Sequence, residues 1–185
     1  MKTIIFLLGM LVALTGMAQK YELNTALSEV TWKAYKVTGE HYGTIDLAEG
    51  YLTMENGKVS GGAFTLDTPS ITVTDLQGSG KAKLEGHLKS EDFFDTEKFQ
   101  TASFVITEIN GDKVKGTAVI KNISGELEFS ADLNIEEGKV AAIAEIKIDR
   151  TNYDIRYNSK KWYGNLGDKM IYDDFDISVS LVAVQ

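Results

Sequence analysis

Cysteine is missing altogether from these 185 residues. No disulfide can brace the fold, and no thiolate can act as nucleophile or metal ligand. There is one proline, Pro69, and there are only two histidines, His41 and His87. No second cluster of ligands accompanies them, so zinc or haem ligation is not expected. Helical periodicity, internal repeats, low-complexity tracts and linkers are also scarce, which argues for one folded domain. Basic charge is in deficit, with 19 Lys and Arg against 27 Asp and Glu and a net charge of −8. An acidic surface without a basic stripe repels phosphate backbones, so nucleic acid is excluded as a partner.

Catalytic signatures are equally thin. There is no G-x-S-x-G elbow, and Gly78-Ser79-Gly80 reads as a loop glycine pair. A serine triad would have to recruit His41 or His87, with no acidic partner assignable. Asp173-Asp174-Phe175-Asp176 lacks the spacing and glycine of a calcium loop and reads as a charged strand start. Asn122-Ile123-Ser124 matches a glycosylation sequon and is read as a chance match. The expectation is a protein that is not an enzyme and carries no cofactor or metal.

What the chain does have begins at its N-terminus. Lys2, the apolar run Ile4–Leu14 and the small residues Gly16-Met17-Ala18 make the pattern of a secretory signal peptide, with cleavage after Ala18. The run is too short to span a bilayer, which needs about 20 apolar residues. The reading is therefore a leader over 1–18 and a mature domain over 19–185, periplasmic or secreted, without a transmembrane segment. A homodimer stays open. Export without disulfides favours a bacterial source.

From Tyr21 onward, period-2 alternation dominates. Val30, Trp32 and Ala34 share one face of Ser28–Val37, and Glu29, Thr31 and Lys33 the other. Gly39–Gly43 is expected to be a turn carrying His41. Thr44–Leu47 and Tyr51–Met54 are expected to pair across Ala48-Glu49-Gly50, and Asn56-Gly57 is a strong hairpin signal. Lys58–Asp67 places Phe64 and Leu66 on one side, and Ser70–Thr74 follows Pro69 as a separate strand. Strands resume at Ala102–Ile109, with Phe104 and Ile106, and at Val114–Lys121. After a turn at Asn122–Gly125, Glu126–Ile135 aligns Leu127, Phe129, Ala131 and Leu133. Lys139–Asp149 alternates Ala142, Ala144, Ile146 and Ile148. Arg150–Asp174 is irregular, and Phe175–Val184 carries Phe175, Ile177, Val179 and Leu181. The count is eight to ten strands, antiparallel and all-β. Periodicity alone leaves barrel and sandwich open, although closure would remove the exposed edges.

Asp75–Thr101 interrupts this rhythm. Within it, Gly86–Phe104 holds His87 and Phe93, Phe94, Phe99 and Phe104, half of the eight phenylalanines. Ser90 suits an N-cap, so one or two short helices are expected here. His87 is read as a residue that hydrogen-bonds within this loop and fixes it, as do Ser90 and Asp92, and it is also a candidate ligand-binding residue whose imidazole could meet a polar ligand head. Leu88, Phe93, Phe94 and Phe99 are expected to close one end of the barrel. Bulky Trp32, Phe64, Phe104 and Phe129 alternate on inward faces with small Ala34, Ala131 and Ala144. The interior is then either filled or able to hold one apolar ligand. Leu66, Ile106, Ile146 and Val179 complete the expected lining.

His87-Leu88-x-Ser90-x-Asp92-Phe93-Phe94-Asp95-x-x-Lys98-Phe99, with Phe104 beyond, resembles the YceI-like family of lipocalin-like proteins that bind polyisoprenoids. Val37–His41, Ser70–Leu76 and Asp149–Tyr153 resemble segments of the same family, in its Bacteroidetes-type branch. The likeness covers the mature chain. It departs at Gln100, where a proline is usual, and at Asn122–Leu127, where a G-V-T-K-P-V type turn is common. What the resemblance implies is a single eight-stranded lipocalin-like barrel holding a long apolar lipid, a polyisoprenoid, isoprenoid quinone or fatty amide. The protein would then be a carrier or store. A barrel with a filled core and a protein partner is the alternative.

Overall fold

The computed structural model describes residues 18–185. The leader expected over 1–18 therefore lies outside the described residues, apart from Ala18. Nine strands make one sheet: β1 Gln19–Leu23, β2 Glu29–Lys36, β3 Gly39–Glu55, β4 Lys58–Val73, β5 Thr101–Asn110, β6 Lys113–Ile120, β7 Ile123–Glu136, β8 Lys139–Asp149 and β9 Ile171–Val184. Every neighbouring pair is antiparallel. The order β3-β2-β9-β8-β7-β6-β5-β4 closes because β3 also pairs with β4. β1 and β2 share one stave. β1 pairs with the far halves of β3 and β9, β2 with their near halves, and a 3-10 turn at Thr25–Leu27 joins them. The result is a closed eight-stave barrel, as expected, and closure leaves no free edge.

The local chemistry explains most of the turns. Asn56 and Gly57 both take positive φ (51° and 74°), which matches the right-handed twist of β3 and β4. Several expectations need correction. The expected hairpin across Ala48–Gly50 does not form. β3 runs on through these residues, with one register shift against β4 between Leu47 and Glu49. Val37 and Thr38 make the preceding turn, so His41 is on a strand and not in the Gly39–Gly43 loop. β4 likewise passes through Pro69, where the pairing with β3 shifts register and no regular ladder amide is required. Lys121 and Asn122, both at positive φ, make the β6–β7 turn in place of Asn122–Gly125. β9 begins at Ile171, four residues early.

One α-helix, α1, covers Gly78–Lys89. It starts before the aromatic stretch and includes Gly78-Ser79-Gly80, which were read as loop. Ser90 ends this helix instead of beginning one: its amide and hydroxyl both donate to His87 O. α1 lies against the end of β4, where Glu85 Oε1 accepts from the Val73 amide at 2.9 Å. This replaces a ladder partner that β5, paired only as far as Asp67, does not supply.

Four connections, the short turns 37–38 and 121–122 and the long 74–100 and 150–170, gather at one end of the barrel. The core there joins Trp32, Ile71, Val73, Leu88, Phe93, Tyr153 and Phe175. The opposite end is closed by Tyr21, Leu52, Met54, Val59, Val140 and Ala183. Between the two plugs the barrel is not full.

Candidate functional site

Two cavities lie end to end along the axis. The deeper chamber, about 150 Å³, is walled by inward residues of the staves, and Ser103 is its one polar residue. The chamber under the loops, about 100 Å³, adds Thr68, Arg150 and Tyr172 to an apolar wall. They share Leu66, Ala102, Ile120, Ile148 and Ile177, so they are consecutive parts of one apolar path.

The alternation of each strand sets this lining. In the deep chamber Phe64, Phe104 and Phe129 form a row, with ring centroids 6.5 Å and 5.4 Å apart. Gly116 makes room for it: a Cβ there would come within 2.3 Å of Phe104 Cζ. Beside the rings, on β7 and β8, are small residues, Ala131, Ala142 and Ala144, and Ala131 and Ala144 pack in one cluster with Phe104 and Phe129. Methyl groups next to the large rings leave part of the interior unfilled. Ile106, Ile146 and Val179 line the same chamber, and Leu66 sits at the junction.

Trp32, Ala34, Leu88, Phe93 and Phe94 line the upper chamber. The cap is built by two connections. Phe94 and Phe175 pack edge to face at 6.4 Å, and His87 packs edge to face with both Phe93 and Tyr157, themselves tilted on each other, between α1 and the β8–β9 connection. Two residues expected in the lining are elsewhere. His87 stands outside the chamber, packed on Phe93 and Tyr157, with Nε2 3.4 Å from Asp92 Oδ2. Phe99 is half-buried beneath Lys98, and its carbonyl accepts from the Thr68 hydroxyl. His87 thus positions the cap.

The residue that sequence reasoning left out is Arg150. Its side chain is 4% exposed, yet it lines an apolar chamber. Nη1 donates to Ile155 O (2.8 Å), Nε to Tyr172 O (3.1 Å) and Nη2 to Ile171 O (3.2 Å). These bonds tie the β8–β9 connection to the start of β9. Burial, the dominant influence, pulls the guanidinium's pKa down, and the carboxylates of Asp173 and Asp149 oppose it. Asp173 Oδ1 is 3.5 Å from Nη2 and has no hydrogen-bond partner of its own. The signal was present in Asp149–Tyr153, a segment singled out by resemblance without a role.

Outside the barrel, His41 Nδ1 is 2.7 Å from Asp75 Oδ2, and Asp75 Oδ1 accepts from the Tyr42 amide. Among the described residues no group of three or more His, Asp or Glu could hold a metal ion, and no helix is long and apolar enough to cross a membrane.

A closed antiparallel barrel with an apolar axial cavity under an aromatic cap is the class of protein these features define. The chain belongs to the YceI-like domain family, whose profile matches residues 21–183. A UPF0312 protein of Staphylococcus aureus (strain MSSA476) is 32% identical over 110 residues, 54% of this chain and 64% of that protein. The matched region thus spans less than two thirds of that relative. Among solved structures, BcnA of Burkholderia cenocepacia superposes with a TM-score of 0.66 at 17% identity, over 88% of this chain and 99% of that one. A polyisoprenoid binding domain from Saccharophagus degradans gives a TM-score of 0.62 at 12% identity, over 89% and 97%. At such identities the likeness speaks for the fold alone.

Proposed function

We propose that this is an exported lipid-binding protein that holds a long apolar chain, of polyisoprenoid, prenylquinone or fatty-amide type, inside the barrel as a carrier or store. The observation that carries the reading is the pair of joined apolar chambers along the axis. Burying a chain there contributes about 0.8 kcal/mol per CH₂, so a long lipid binds well without a charged anchor. The description of the Saccharophagus degradans neighbour as a polyisoprenoid binding domain points the same way. An apolar cavity of about 150 Å³ takes a guest the size of benzene. A longer chain therefore needs both chambers and some swing of the Phe64, Phe104 and Phe129 rings. The lining offers no nucleophile with a base beside it, which favours binding over catalysis. The leader pattern at 1–18 supports export.

Solvent extraction of the full chain purified from its own host, followed by mass spectrometry, tests the reading. A stoichiometric long-chain lipid is expected. Protein that carries none and also fails to bind a prenyl probe would sink it. Export is checked by finding Gln19 as the N-terminal residue in the extracytoplasmic fraction.

A further inference from the structure

We infer that the β8–β9 connection, 150–170, is a docking surface for an anionic lipid bilayer. The inference rests on the lipid-binding reading and deepens it by naming where the barrel meets the source of its ligand. Among the described residues four large aromatic side chains are exposed. Three of them, Trp162, Tyr163 and Tyr172, belong to this connection or to the start of β9 behind it. Trp162 and Tyr163 are neighbours, 44% and 49% exposed. A built turn holds them out. Ser159 is fully buried, and its carbonyl accepts from the Trp162 and Tyr163 amides at 3.1 Å and 3.0 Å. Its hydroxyl accepts from the Lys161 amide. Arg156 stacks on the Trp162 ring, 5.0 Å from its centroid. Two large rings are thus presented to solvent by a fixed backbone, and the headgroup layer of a bilayer takes the apolar body and polar edge of Trp and Tyr together.

Charge complementarity selects the occupant. The chain is acidic as a whole, yet 150–170 carries Arg150, Arg156, Lys160, Lys161 and Lys169 against Asp154 and Asp168. Both arginines of the protein are among them. The other long connection at this end, 74–100, has four lysines against six carboxylates, so the basic charge is centred on 150–170. Arg150 is buried, Arg156 is matched by Asp154, and Lys161 by Asp149. Lys160 and Lys169 are exposed and make no ion pair among the described residues. An anionic surface attracts such lysines while the rings beside them enter its headgroup layer, and the two contributions add. The same connection walls the upper chamber through Ile155. Docking therefore sets the capped end of the cavity against a store of apolar chains.

The test uses the full mature chain and vesicle flotation, without added ligand. One set of vesicles is phosphatidylcholine alone, and the other contains about 30% phosphatidylglycerol. The parent protein is expected to bind the anionic vesicles about tenfold more tightly at about 0.1 M salt and to lose most of that preference at about 0.5 M. Trp162→Ser combined with Tyr163→Ser should weaken binding to the anionic vesicles about tenfold. Lys160→Glu combined with Lys169→Glu should remove the preference for them. None of these four residues lines a chamber, so the C20 prenyl alcohol held by either variant, read by solvent extraction and mass spectrometry, should match the parent. A parent protein that leaves the anionic vesicles unbound overturns the docking and leaves the aromatic patch to a protein partner. Binding that either pair of substitutions leaves unchanged overturns it too, because another face must then make the contact. Docking as expected by a parent protein that holds no prenyl alcohol sinks the lipid-binding reading instead.

Discussion

At the scale of single residues, tight backbone approach matters as much as the apolar faces. Gly43 lies on β3 between β2 and β4, and a Cβ there would sit 1.8 Å from Thr72 O and 2.9 Å from Trp32 Nε1. These atoms cannot step aside, because the indole N–H donates to that same carbonyl at 3.0 Å. Gly43→Ala should therefore cost about 3 kcal/mol in urea unfolding. Gly57→Asn is the contrast. Nothing lies within 4 Å of it and its φ of 74° suits asparagine, so the loss should stay under about 1 kcal/mol. A second residue-scale outcome concerns pH. Burial, the largest single influence on Asp75, pushes its pKa up, but the bonds from His41 and the Tyr42 amide more than offset this and leave it below 3.8. A carboxylate depressed on folding contributes stability above its unfolded pKa and loses it as pH falls through the lower folded value. The stability gap between the parent protein and Asp75→Asn should then be widest near neutrality and shrink below about pH 4. A gap that stays constant down to pH 2 would show that the contact is not ionic.

At the scale of elements, the inward faces were legible where period 2 survives, as along β7, β8 and β9. Leu127, Phe129, Ala131 and Leu133 point in as the alternation requires, and so do Phe175, Ile177 and Val179. The irregularities were not legible. Ala48–Gly50 and Pro69 look like strand breaks, but bulges let β3 and β4 run through them. α1 was hidden for another reason: three glycines and six polar residues among twelve leave its sequence little apolar stripe, and tertiary contacts such as Glu85 to the Val73 amide hold it. Arg150 was missed because a charged residue in an irregular stretch reads as solvated. Only the fold shows that carbonyls of its own connection and of the start of β9 surround it. That connection yields the element-scale prediction. Lys161 Nζ bonds Asp149 Oδ2 at 2.6 Å and clips the outer loop to the end of β8, with the lysine half-exposed. Lys161→Met should raise amide exchange across 154–170 about tenfold while lowering Tm by less than about 2 °C, since exposed pairs add little to global stability. A fall in Tm of more than 5 °C would place the loop inside the cooperative core.

At the scale of the whole molecule, one sheet makes the barrel with no cysteine in the chain and, among the described residues, a single α-helix, so stability comes from the two apolar plugs and the closed hydrogen-bond ring. The segment between the plugs is under-packed. A barrel selected only for stability would fill it, because empty apolar space forgoes dispersion contacts. Ala144 tests which demand shaped it: this buried residue lines the deep chamber beside Phe104 and Phe129. Ala144→Leu should occupy part of the space and leave the ligand-free protein as stable as before or up to about 1 kcal/mol more so, while weakening binding of the C20 prenyl alcohol by more than tenfold. Calorimetry and a titration of Trp32 fluorescence with that alcohol, in a Trp162→Phe background, read the two effects separately. If the variant loses stability and binds as before, then the chamber is a packing compromise and the chain of the lipid goes elsewhere. If it gains stability and loses binding, the barrel gives up packing energy to keep room for its guest.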